Sequence, residues 1–196
     1  MWALIEDSEI VKIINNPKGM LIGDTRYSRN IFSFRWSNEE REAIGLYEIV
    51  FDNSNKEDEA YYNNTNQSFD FADGVVTASY GSATANSLAD VTDEDDNVTP
   101  GLKTKHKEII KQQASGLLTP TDWYVLKATD VESYSVPSAV TTFRANVRTK
   151  SNTMETAIDN ASDVDALATL YEYVNTGTEE IPVMERPLGE FPTLEI

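Results

Sequence analysis

The hydrophobic pattern of this 196-residue chain changes at Pro100 and Gly101, and this change constrains the fold more than any other feature. Before it, short runs of β-branched and aromatic residues are separated by turn residues, which is typical of strands. After it, apolar residues recur at intervals of three and four, which is typical of helices. We therefore predict an α+β protein with a small N-terminal β-rich domain, a hairpin, a C-terminal helical region and an extended C-terminal arm.

The first 52 residues are predicted to form a small β-rich domain with one short helix. Residues 1–14 have the composition of a hairpin, and residues 46–51 have that of a further strand. Between them, Ser37 and Glu40 have the spacing of a capping box. This spacing predicts a helix from about Asn38 to Ile44, which ends at Gly45.

Residues 53–100 are predicted to contain a solvated loop, a β-hairpin and an acidic linker. Residues 67–71 and 75–80 are β-rich, and the Asp73-Gly74 pair between them suits the positive φ angles of a tight turn. Small residues follow over 82–97 and lead into an acidic run. We expect the main domain boundary in this linker.

Residues 101–174 are predicted to be helical. One helix is expected from Leu102 to Ala114 with Gly116 as its cap, and another from Pro137 to about Lys150. Helical spacing continues beyond it, and Asp163 has the position of an N-cap for a helix over 164–174. Prolines and glycines interrupt residues 175–196, so we expect an extended arm that gains order only against another surface.

Residues 117–125 combine a proline with an aromatic run. Pro120 disfavours a helical conformation for Thr119, and Trp123 begins a run of β-type residues, so we expect a turn followed by a short buried segment. Phe143 lies at helical spacing in the next apolar stretch. Taken singly, Trp123 and Phe143 are expected in the core. Arg144 and Arg148 are expected as ordinary charges on a helix surface.

Two stretches also resemble a known family. Residues 117–125 and 136–148 resemble the L-x-P-T-D-W-Y-V … P-x-x-V-x-x-Y/F-R-x-x-V/L-R signature of small tail-fibre and tail-fibre-assembly proteins of tailed bacteriophages. Residues 27–48, with Trp36-Ser37-Asn38-Glu39-Glu40-Arg41, resemble a W-S-x-x-E-R-x-A-x-G-I-Y segment of the same proteins. Neither signature is a catalytic fingerprint.

The resemblance implies a structural protein of the phage tail or tail-fibre apparatus. Such a protein is made in the host cytoplasm, ends in the virion and binds other tail or fibre proteins, with a homotrimer as the expected oligomer. A tail-fibre assembly chaperone absent from the mature virion is the alternative, and a polysaccharide hydrolase is a third. The candidate interaction residues are Trp123, Arg144, Arg148, Ile181, Leu188 and Phe191.

Composition disfavours several other functions. The chain has 33 acidic and 16 basic residues, a formal charge of −17, so nucleic acid and anionic membranes are not expected as partners. The absence of cysteine excludes disulfides and thiolate metal sites. No apolar run reaches transmembrane length.

We also expect no enzyme activity, no cofactor and no bound metal. His106 is the only histidine and is expected to face solvent. The Asp93-x-Asp95-x-Asn97 run imitates the start of a calcium loop, but Val98 and Thr104 replace the glycine and the glutamate that such a loop needs. A solvated acidic linker is therefore preferred here over a weak cation site.

Overall fold

The structure, a computed structural model, describes residues 1–65 and 67–195. The chain divides into two compact units, an N-terminal unit of residues 1–84 and a C-terminal unit of residues 85–196. Strands dominate the first unit and helices the second, so the predicted α+β class is confirmed. The division lies at the start of the predicted linker.

The N-terminal unit is built around a five-stranded sheet. The strands of the whole unit are β1 (Trp2–Glu6), β2 (Glu9–Ile14), β3 (Met20–Ile22), β4 (Thr25–Tyr27), β5 (Leu46–Asp52), β6 (Tyr62–Asn63), β7 (Ser68–Ala72) and β8 (Val75–Ser79). The sheet has the order β2-β1-β5-β8-β7, and all its pairs are antiparallel except β5 with β8. The strands β3 and β4 form a separate hairpin.

The five-stranded sheet curls, so that its two edge strands, β2 and β7, approach each other. Its concave side encloses a core of Ala3, Ile5, Ile49, Val76 and Ala78. The predicted β7–β8 hairpin is confirmed, and both residues of its turn, Asp73 and Gly74, have positive φ angles of 52° and 77°. However, the parallel β5–β8 pairing places this hairpin in the same sheet as residues 1–52. The division predicted at residue 52 therefore runs through one compact unit.

A short helix, α1 (Asn38–Glu42), connects the β3–β4 hairpin to β5. The predicted capping box is confirmed: the Glu40 amide donates to Ser37 Oγ at 3.2 Å, and the Ser37 amide donates to Glu40 Oε2 at 2.8 Å. Gly45 follows with a φ of 77°, and a Cβ there would collide with the carbonyl oxygen of Ile5. Glycine is therefore required where the chain enters β5.

The C-terminal unit is mainly helical. Its helices are α2 (Leu102–Leu118), α3 (Asp122–Asp130), α4 (Ser138–Asn160) and α5 (Val164–Thr169), and a 3-10 turn over Thr119–Thr121 joins α2 to α3. Its short strands are β10 (Val91–Thr92), β11 (Val98–Thr99), β12 (Val174–Asn175) and β13 (Met184–Glu185), which form two hairpins, and β9 (Thr84–Ala85) lies at the division. The helices α2 and α4 pack together around buried Ala114, Phe143 and Val147.

Three helix ends of the C-terminal unit differ from the prediction, and in the N-terminal unit α1 ends at Glu42 rather than at about Ile44. The helix α2 continues through Gly116 to Leu118, because a glycine on an open helix surface weakens a helix by only about 1 kcal/mol and does not end it. The helix α4 runs on to Asn160, which buries Ile158. The N-cap of α5 is confirmed, since Asp163 accepts from the Ala166 amide at 2.8 Å, but α5 ends at Thr169.

The C-terminal arm folds on its own unit. Its first part forms the β12–β13 hairpin, in which Asn175 Oδ1 accepts from the Gly177 and Val183 amides at 3.0 and 2.9 Å. Leu188 is only 2% exposed, and its amide donates to the carbonyl of Leu170 at 3.0 Å. The expectation that this arm gains order only against another surface is therefore wrong.

Candidate interaction site

The helix α3 has no buried residue, although it carries the aromatic run of the family-like signature. Trp123 is 50% exposed and Leu126 is 65% exposed. The predicted turn with a buried β-type segment is wrong, because Pro120 lies in the first turn of a 3-10 helix, where no amide hydrogen is needed. The prediction of a core Trp123 is wrong for the same reason: the segment is a surface helix.

Local contacts orient the Trp123 ring without burying it. The ring stacks on Tyr124 with centroids 3.8 Å apart, and the Lys127 ammonium lies 5.8 Å from its centroid. The same ammonium lies 4.3 Å from the ring centroid of Tyr134. Trp123, Leu126 and Lys127 have the i, i+3, i+4 spacing of one helix face. We call Trp123, Tyr124, Leu126 and Lys127 the α3 surface.

Arg144 holds the chain corner from which α3 begins. Its Nη1 donates to the Leu118 carbonyl at 3.0 Å, to Thr121 Oγ1, and to Asp122 Oδ1 at 2.7 Å. Thr121 is buried, and the Arg144 side chain is largely so. The arginine was expected to be an ordinary surface charge, but it ties α4 to the α2–α3 corner. It therefore fixes the position from which the α3 surface is presented.

The other four predicted interaction residues differ in accessibility. Arg148 is exposed and donates to the Arg144 carbonyl of its own helix at 3.2 Å. Ile181 is exposed in the loop of the β12–β13 hairpin. Leu188 is buried, and Phe191 packs against the cluster formed by α2 and α4. The structure does not bring the six residues together at one site.

The N-terminal unit contains a similar arginine that the sequence did not single out. Arg41 of α1 donates from Nε to the Ile31 carbonyl at 2.8 Å, from Nη2 to the Ser33 carbonyl, and from Nη1 to Asn38 Oδ1 at 2.9 Å. Its guanidinium lies 4.8 Å from the ring centroid of Trp2. Both side chains are buried. The available signal was the position of Arg41 inside the second family-like stretch.

His106 is half-buried, so the expectation that it faces solvent is wrong. Its ring lies 4.8 Å from that of Tyr171, measured between centroids. Burial lowers the pKa of His106 below its ordinary value. Burial therefore disfavours the protonated imidazole.

The acidic run is an ordered hairpin loop between β10 and β11. Asp93 accepts from the Asn97 side chain at 3.1 Å and from the Asn97 and Asp95 amides, both at 2.9 Å. The Asn97 side chain and then its amide hold the pKa of Asp93 below the usual range. Within residues 1–65 and 67–195 there is no group of three or more histidines and carboxylates placed to hold a metal ion.

No helix in the described part of the chain is long and apolar enough to cross a bilayer. The chain was also compared with protein-family models, with curated proteins and with solved structures. None of the three comparisons found a match.

Proposed function

We propose that this protein is a structural component of the tail or tail-fibre apparatus of a tailed bacteriophage, and that it acts by binding other proteins of that apparatus. The α3 surface carries the proposal. Thr121, Asp122 and Arg144, all within the stretches that resemble the phage signature, hold the corner that presents Trp123 to solvent. The signature residues thus have a joint structural role.

An exposed tryptophan beside an exposed leucine favours protein binding. Tryptophan and tyrosine are enriched among the residues that dominate binding energies at protein interfaces. An aromatic side chain buries about 150–250 Å² in a full contact, so covering the exposed half of Trp123 would contribute on the order of 2–3 kcal/mol. The stacking on Tyr124 reduces the side-chain entropy that a partner would have to remove.

The proposed location is the virion, after synthesis in the host cytoplasm, and a homotrimer is the proposed oligomer. An assembly chaperone could use the same α3 surface on a fibre protein and then leave. The two functions differ in where the chain is found after assembly, because only a structural component remains in the particle.

The experiment is quantitative mass spectrometry of purified particles and of the soluble fraction of the same lysate, with immunogold electron microscopy of the particles. We expect a fixed copy number per particle and gold label on the tail. Presence in the lysate together with absence from the particles would support the chaperone instead. Absence from both fractions while particles still form would contradict both functions.

A further inference from the structure

One segment of this acidic chain carries a net positive charge and basic side chains that are unpaired among the residues the structure describes. Residues 10–37 contain five basic residues and one acidic residue, Asp24, and so have a formal charge of +4. Because the whole chain carries −17, the remaining residues carry −21. All five basic side chains are exposed, and they are Lys12, Lys18, Arg26, Arg29 and Arg35. Within the described residues none of these side chains makes an ion pair or a hydrogen bond.

Exposed apolar side chains accompany this charge, and Leu21 and Phe34 are the most exposed of them. The inward residues of the β3–β4 hairpin pack on the core of Trp2, Ile14, Ile31 and Leu46. Leu21 and Arg26 pair across the hairpin and are both exposed. Phe34, just after a 3-10 turn over Arg29–Phe32 that follows β4, is 94% exposed. We call the five basic residues with Leu21 and Phe34 the basic surface.

The β10–β11 hairpin of the C-terminal unit has the complementary composition. Its loop exposes three consecutive carboxylates, Glu94, Asp95 and Asp96, which have no ion pair among the described residues. Its strands expose Val91 and Val98. The Asp93 hydrogen bonds fix the loop, so little backbone entropy remains to be lost on binding. We call residues 91–99 the acidic hairpin.

We propose that the acidic hairpin of one copy of this chain docks on the basic surface of a second copy. Each surface combines free charges of one sign with two exposed apolar side chains, so charge pairs can set the register while apolar contacts supply affinity. The inference concerns self-association and does not depend on the assignment to a phage tail.

A second copy fits the basic surface better than nucleic acid does. A nucleic acid continues beyond a 28-residue segment and would meet the net negative charge of the rest of the N-terminal unit. The acidic hairpin carries four carboxylates, Asp93 to Asp96, and repulsion between more distant charges is screened beyond a Debye length of about 8 Å at physiological salt. The contact joins two different surfaces, so it repeats head to tail and yields a ring or an open chain.

The first test is sedimentation velocity of the full chain at about 50 mM and about 0.5 M salt, since these conditions change the Debye length roughly threefold. We expect a mass above the monomer's 21.9 kDa that rises with concentration at low salt and returns to the monomer at high salt. A chain that is monomeric in both conditions up to about millimolar concentration would overturn the proposal.

The second test uses two neutralising variants, Arg26→Gln/Arg29→Gln and Asp95→Asn/Asp96→Asn. Each alone should be monomeric, because each lacks one half of the repeating contact. Mixed together they should form a complex of two chains and no more, since only one intact pair of surfaces remains. A mixture that stays monomeric, or variants that associate like the original chain, would overturn the proposal.

Two further variants separate charge from apolar contact. Glu179→Gln/Glu180→Gln removes the same charge from another exposed loop and should associate like the original chain. Phe34→Ser leaves the charge unchanged and should weaken association roughly tenfold or more. Binding of a single-stranded oligonucleotide that is lost in Arg26→Gln/Arg29→Gln, without self-association, would make nucleic acid the occupant and overturn this assignment.

Discussion

Arg41 in the N-terminal unit and Arg144 in the C-terminal unit have the same structural task, but the tryptophan associated with each differs in burial. Arg41 binds two backbone carbonyls next to the 3-10 turn over Arg29–Phe32, and Arg144 binds one next to the 3-10 turn over Thr119–Thr121. Each contact fixes the chain at the start of the following helix. Trp2, over which Arg41 lies, is 9% exposed. Trp123, which follows the corner held by Arg144, is half exposed.

This difference in burial separates a tryptophan that stabilises the core from a tryptophan that is exposed on the surface. Trp2 is enclosed by Arg41 and by an edge-on contact with Phe32, with ring centroids 5.7 Å apart. Trp123 contacts Tyr124 and Lys127 of its own helix and remains half exposed. The residue type is the same, so only the surroundings supplied by the rest of the chain distinguish structure from recognition.

The largest expected effect is at Trp2. Replacing Trp2 with alanine should lower the free energy of unfolding by roughly 3–5 kcal/mol, because a buried aromatic ring is lost and a cavity remains. Urea denaturation followed by circular dichroism measures this change. A loss below about 1 kcal/mol would remove the contrast between the two tryptophans.

Arg144 should have the next largest effect. Arg144→Ala should cost about 1.5–3 kcal/mol, because the buried Thr121 hydroxyl and the Leu118 carbonyl lose a charged donor. The matched control is Arg148→Ala, four residues along the same helix and exposed, which should change stability by no more than about 0.5 kcal/mol. Equal effects of the two substitutions on urea denaturation would show that Arg144 does not anchor the corner.

Trp123→Ala should change stability much less than Trp2→Ala. About 1 kcal/mol is expected, because the ring loses its stacking on Tyr124 and only part of a buried surface. Thermal melts of the two variants side by side measure the contrast. A loss of several kcal/mol at Trp123 would mean that the tryptophan belongs to the core.

The smallest effect is expected at His106, and it tests how closely the C-terminal unit packs around this side chain. Its pKa, read by NMR from the only histidine, should lie below the ordinary value of 6.5. A lowered pKa means that the unfolded chain binds the proton more tightly. The resulting stability is fully present above about pH 6.5 and is lost as the pH falls through the folded-state pKa.

Two tyrosine variants check the cause of this pKa shift. Tyr171→Ala should return the pKa of His106 towards 6.5, because it uncovers the ring. Tyr173→Ala, two residues away and exposed, should leave that pKa unchanged. An unshifted pKa in the original chain would contradict the packing of α2 described above.

The strands and caps were predictable because their signals are local. Asp73-Gly74 dictates a tight turn, and Ser37 with Glu40 dictates a helix start within four residues. The β5–β8 pairing was not predictable, because it joins segments more than twenty residues apart in the sequence without a local marker of parallel register.

The candidate site was predictable only in part. The signature drew attention to Trp123 and Arg144, but a run of β-type residues after a proline fits a buried strand as well as a surface helix. The surface helix is held in place by Arg144, which binds Asp122 from 22 residues further along the chain, and this contact cannot be read from the local sequence. The docking of Leu188 on Leu170 is likewise a tertiary contact that scattered apolar residues do not reveal.

The central claim is that Trp123 is presented for binding rather than packed for stability. Its most direct test is incorporation of Trp123→Ser into purified phage particles, in cells that lack the original gene, with Ile109→Ser as the control. Ile109 is 46% exposed on α2, close to the exposure of Trp123. We predict that both variants fold with a loss of no more than about 1–2 kcal/mol of stability, and that only Trp123→Ser is lost from particles. Normal incorporation of a folded Trp123→Ser protein would contradict the account.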